Sequence, residues 1–163
     1  MDLIAVVTAI FTALSALAAC MACIFNWVSV QKQIESTNIN HCNERYSNIF
    51  KNIEISLLQK KHDMFVSSCK ELFDLQGHEY LLWNDNRIPD KIYKYWLSSN
   101  ARRFKDIKFI DADANINQTL QDVWKEAKTA HGISFNSYFV TCMEKVFENK
   151  INLIKKHKDY FEK

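Results

Sequence analysis

From Leu3 to Gln31 the chain carries no charged residue, and from Leu3 to Val30 every side chain is apolar or small except Thr8, Thr12, Ser15, Asn26 and Ser29. As a helix this stretch is about 42 Å long, against a hydrocarbon core of about 30 Å. It is predicted to be a transmembrane helix, residues 1–30, spanning with tilt or with its last turns among headgroups. Leu17-Ala18-Ala19-Cys20 has the look of a lipoprotein cleavage box. Against cleavage, Met1-Asp2 offers no basic n-region and the apolar run continues ten residues past Cys20, so an uncleaved anchor is expected.

The polar residues of the span lie on one stripe. Ala5, Thr8, Thr12, Ser15, Ala19, Ala22, Asn26 and Ser29 follow unbroken a/d heptad spacing, while Phe11, Leu14, Leu17, Met21 and Phe25 lie on the other faces. Small residues let helices approach closely, and hydroxyls bond across the contact. Three readings follow: a self-associating helix, a helix lining a water-filled pore through Thr8, Thr12, Ser15, Ala19, Ala22 and Asn26, and a monomeric anchor whose hydroxyls bond their own backbone.

Beyond Gln31 the chain turns polar, with no Pro or Gly before Gly77. The helix can therefore run on as a thin stalk, residues 31–45, into a helical domain, residues 46–163. Helical apolar spacing recurs in Tyr46, Ile49, Phe50, Ile53 and Leu57, then from Met64 and Phe65 to Tyr80, Leu81 and Trp83 with a bend expected at Gly77. Pro89 is placed for the first turn of a helix holding Ile92, Tyr95 and Trp96. Lys108-Phe109-Ile110 reads as a short extended piece and Asp111 to Asn115 as a loop. A helix from Thr119 to His131 is closed by Gly132, and Ser134 caps a last helix running to Ile154. The predicted fold class is all-α, with about five helices after the stalk.

Composition narrows the picture. Two Gly and one Pro in 163 residues exclude a β-sandwich, a Rossmann fold and a Gly-rich phosphate loop, all of which need many tight turns. All 21 Lys and Arg follow the span, so the positive-inside rule puts the domain in the cytoplasm. Five cysteines without framework spacing suit a reducing compartment. None of His41, His62, His78, His131 and His157 has zinc-ligand spacing to another His or Cys, so no metal is expected, and no cofactor either. Glu71, Asp74 and Glu79 read as a solvated face. An enzyme is the least favoured class.

One run carries candidate chemistry. Lys91 to Lys108 holds six basic residues against Asp106, interleaved with Tyr93, Tyr95, Trp96 and Phe104. Cations attract phosphates and aromatic faces stack on bases, which makes Tyr93, Trp96, Arg102, Arg103 and Lys105 candidate contacts for a nucleotide or single strand. The plainer reading is a core-facing Tyr95 and Trp96 with a solvated basic surface, its arginines paired with Asp111 or Asp113 or facing anionic lipid.

The layout, with the stripe Thr8, Thr12, Ser15 and the basic-aromatic run Tyr93 to Lys105, resembles small single-span bacterial effectors of anti-phage defence, and among them the channel effector of the Hailong system. That resemblance implies a homo-oligomeric channel, a tetramer. It also implies a single-stranded DNA oligomer on the cytosolic domain, made by a partner nucleotidyltransferase, which keeps the channel shut. A membrane-anchored adaptor or scaffold without a pore is the competing reading.

Overall fold

A computed structural model describes residues 2–129 and 135–156. The fold is all-α with one small hairpin: α1 (Leu3–Leu58), α2 (His62–Asn84), α3 (Asp90–Asp106), β1 (Lys108–Asp111), β2 (Ile116–Thr119), α4 (Leu120–Thr129) and α5 (Ser137–Phe147), then a 3-10 turn at Ile151–Leu153. The chain divides into two units, Met1–Thr37 and Asn38–Lys163.

The first unit is helical from Leu3, and every side chain from Val7 to Ile34 is exposed. Its most apolar window has a mean hydropathy of 2.2 with nothing buried. A helix this apolar and this uncovered is long enough to cross a membrane.

The second unit begins with residues assigned above to the stalk, and Cys42 is already buried there. Ile49 and Ile53 follow at helical spacing, so α1 contributes one stripe to the core. Lys60, at φ 52, reverses the chain into α2, and its ammonium lies 3.5 Å from Asp113 and 3.9 Å from Asp111. Those two aspartates are thus partnered by Lys60 and not by Arg102 or Arg103.

Gly77 does not break α2, which runs through it. A Cβ there would meet the Phe139 ring of α5 at 3.5 Å, an ordinary contact. Gly77→Ala is therefore expected to stabilise the domain by about 0.5–1 kcal/mol through reduced unfolded-state entropy. Chemical denaturation checks this; a loss of stability would show that α5 cannot tolerate the methyl group.

Pro89 is the N-cap of α3, with φ −63, and the Trp83 indole nitrogen donates to Asp90 Oδ1 at 2.8 Å. Tyr93 stacks on Trp83 with ring centroids 4.5 Å apart. Trp124 of α4 is the second aromatic centre, with Phe73 at 5.0 Å and Phe139 at 5.9 Å.

The expected extended piece is one strand of an antiparallel pair in which Phe109 faces Gln118 and Ile110 faces Asn117. Asn115 closes the intervening turn at φ 54, in the left-handed region that Asn tolerates. His62 Nε2 lies 2.8 Å from Gln118 Oε1, and its ring packs edge-on against Phe109. The hairpin therefore covers the turn between α1 and α2. Thr119 opens α4 as half of a reciprocal cap: its backbone N–H donates to Asp122 Oδ2, and Asp122 N–H donates to Thr119 Oγ1.

Two helix limits are corrected. The last helix starts at Ser137, where the Asn136 side chain accepts from Tyr138 N–H at 2.8 Å. It stops at Phe147, short of the expected Ile154, because Asn149 takes φ 60 and turns the chain into the 3-10 segment. The caps assigned to Gly132 and Ser134, and His131, lie outside the described residues.

Candidate functional site

The basic-aromatic run forms most of α3, and helical geometry sorts its members onto separate faces. Tyr93, Leu97, Asn100 and Phe104 recur at four, three and four residues and are all buried. Tyr93 belongs to the core at 0% exposure, and its hydroxyl lies 3.6 Å from Cys142 Sγ. It cannot stack on an incoming base, which corrects its place among the ligand contacts. Tyr95, expected inside, is 71% exposed.

The remaining candidates divide between two cavities. Arg102 and Lys105 line an open one of about 450 Å³ with Ser98, Asn149 and Asn152. Arg103 and Trp96 line another of about 200 Å³ with Tyr46, Glu79, Tyr95 and Asn100. Adjacent helical positions are turned by about 100°, so neighbouring arginines serve different cavities.

The smaller cavity is built from α1, α2 and α3. Tyr46 stacks on Phe50 at 4.4 Å and its hydroxyl donates to Asn100 Oδ1. The Arg103 guanidinium lies over both rings, 5.3 Å from the Phe50 centroid and 5.9 Å from that of Tyr46. Burial pushes the Tyr46 phenol up to about 12, against the opposing pull of Arg103.

Glu79 corrects the solvated-face reading. Glu71 and Asp74 are exposed, but Glu79 is only 2% exposed. Gln76 Nε2 donates to its Oε2 at 2.6 Å. Burial pushes this carboxyl up to about 8, although the Gln76 bond and the Arg45 charge both pull it down. At neutral pH it is a neutral acid, able to donate as well as accept.

Burial disfavours the thiolate form of the domain cysteines. Cys42, Cys69 and Cys142 are unpaired and buried. Burial pushes them up to about 11, about 12 and about 11 respectively. Among the described residues, no three His, Cys, Asp or Glu side chains gather as a metal site would require.

In the span, Thr8 Oγ1 donates to Ile4 O and Thr12 Oγ1 donates to Thr8 O, each at 2.9 Å. The hydroxyls keep acceptor lone pairs for a neighbouring helix or for water. No protein-family model, curated protein or solved structure matches the chain.

Proposed function

We propose that the protein is a homo-oligomeric inner-membrane channel, a defence effector against phage, gated by a nucleotide or single-stranded DNA oligomer on its cytosolic helical domain. The observation that supports this best is the span itself. It is wholly exposed from Val7 to Ile34, and it aligns Thr8, Thr12, Ser15, Ala19, Ala22 and Asn26 on one stripe. Copies arranged around that stripe turn the small and polar side chains toward a common axis and leave Phe11, Leu14, Leu17 and Phe25 to lipid. A ligand that binds one packing of the domains better than another shifts the population between closed and open pores. No step in this reading makes or breaks a covalent bond, so the protein is read as a gated pore and not an enzyme.

The second reading, a membrane-anchored adaptor or scaffold, draws support from Thr8 and Thr12, whose hydroxyls are already satisfied within their own helix. Mass measurement of the detergent-solubilised protein separates the two. The channel reading expects a defined oligomer carrying nucleic-acid absorbance that falls as salt rises. A monomer free of that absorbance would leave the adaptor. Charge reversal at Arg102, which lines the open basic cavity, is expected to lower the retained nucleic acid and alter conductance while the oligomer's mass stays the same.

A further inference from the structure

The cavity between α1, α2 and α3 has a polar floor, aromatic walls and a cationic rim. Glu79 and Asn100 are almost wholly withdrawn from solvent, at 2% and 3% exposure, yet both line the cavity. Tyr46 occupies Asn100 Oδ1, which leaves the amide nitrogen as a donor. Gln76 occupies one Glu79 oxygen and is the only hydrogen-bond partner of that carboxyl among the described residues. The second Glu79 oxygen and the Asn100 amide nitrogen thus keep hydrogen-bonding capacity for a molecule that enters the cavity. Trp96 presents a half-buried ring and Tyr95 an exposed one beside this floor. Arg103 makes no ion pair among the described residues, and the rings of Tyr46 and Phe50 hold its guanidinium in place.

The complement of this set is a planar ring whose edge both donates and accepts, joined to an anion. A simple carboxylate would satisfy Arg103 and leave the second Glu79 oxygen and the Asn100 amide nitrogen unused. An acyl chain would bury against the rings and use neither of these polar atoms nor the Arg103 charge. The volume of about 200 Å³ lies below the roughly 300–1,000 Å³ of drug-sized sites, so it admits one ring system and no more.

We infer that this cavity receives a single nucleobase, its edge on Glu79 and Asn100, its face against Trp96 and its phosphate on Arg103. The inference rests on the nucleotide or single-strand reading above and assigns the base to this cavity, away from Arg102 and Lys105. A free mononucleotide and one base of a strand present the same chemistry here.

The test is calorimetric titration of the full-length oligomer in detergent, stripped of nucleic acid by high salt. The probes are dAMP, dGMP, dCMP and TMP, the matching nucleosides, and a short single strand. At least one monophosphate is expected to saturate at one per chain, with its nucleoside about tenfold or more weaker. Arg103→Gln is expected to bring the monophosphate down to the nucleoside's affinity, and Arg103→Lys to retain part of the difference. Trp96→Leu is expected to weaken every bound base by about tenfold to a hundredfold. If the strand binds as well, the base belongs to an oligomer; if only monophosphates bind, the ligand is a free nucleotide. A strand that binds wild type while no monophosphate does, or binding indifferent to Arg103→Gln, overturns this cavity as the receptor and leaves the gating proposal standing. If neither strand nor monophosphate binds, both fail together.

Discussion

Glu79→Gln is expected to abolish most of the pH dependence of folding between about pH 4.5 and pH 8. In the fold the Glu79 carboxyl sits at about 8, raised by burial from the 4.5 of a free glutamate. Below pH 4.5 it is protonated both folded and unfolded, so the neutral acid's contribution is fully present. Between the two values the unfolded chain ionises and the folded chain does not, so stability falls as pH rises. Above pH 8 both forms are ionised and the loss is complete, on the order of 5 kcal/mol by linkage. His78 works the other way in part of that window. Burial, then Arg45 and His41, lower its imidazole, so its contribution grows as pH rises to 6.5. The difference between wild type and Glu79→Gln removes that background. Melting of the two proteins at pH 4 and pH 8 is the measurement. They should agree at the lower pH, and the variant should lead by about 10 °C or more at the higher. Parallel curves would mean that Glu79 is ionised in the fold and meets a cation there.

The Thr12→Leu, Ser15→Leu double variant is expected to lose conductance by more than tenfold while keeping its oligomeric mass. Both positions lie on the small-residue stripe, and Thr12 already spends its hydroxyl proton on Thr8 O. The lone pairs that remain can wet a narrow pore. Leucine removes them and adds bulk, and apolar constrictions close by dewetting. Single-channel recording of the purified protein in planar bilayers reads the effect. Undiminished conductance would place the stripe at helix contacts away from the ion path. A change in mass would make it an assembly seam.

Most of the helical architecture was legible because apolar residues recur with a period near 3.6 in every long segment. The same periodicity reaches two polar positions of α2. Leu72, Gln76, Glu79 and Trp83 stand at four, three and four residues, and all are buried. Glu79 was thus readable as a core position, although a carboxylate there runs against expectation. Tyr93 was readable likewise from Leu97, Asn100 and Phe104. A basic-aromatic run counted along the chain mixes residues that a helix points in different directions. The second strand was not legible, since Ile116-Asn117-Gln118-Thr119 offers one apolar residue, and the hairpin is held from elsewhere by His62, which meets Gln118 and Phe109. The end of α5 was hidden for a similar reason. Ile151 and Ile154 continue the apolar spacing, while Asn149 ends the helix by its backbone. Where Glu79, Asn100 and Arg103 converge is a matter of tertiary packing, and no linear spacing encodes it.

The thiols bear on how assembly can be watched. Of five cysteines, Cys42, Cys69 and Cys142 are buried, with thiolate fractions at neutral pH roughly a hundredfold or more below that of a free thiol. Cys20 and Cys23 are exposed on the span, each one residue past a stripe position, Ala19 and Ala22. A thiol-directed spin label on the unmutated, folded protein should therefore report from two adjacent turns of the span and stay silent in the domain. Electron–electron distances between copies, with and without nucleotide, would then test the proposed assembly and gating using cysteines the chain already has.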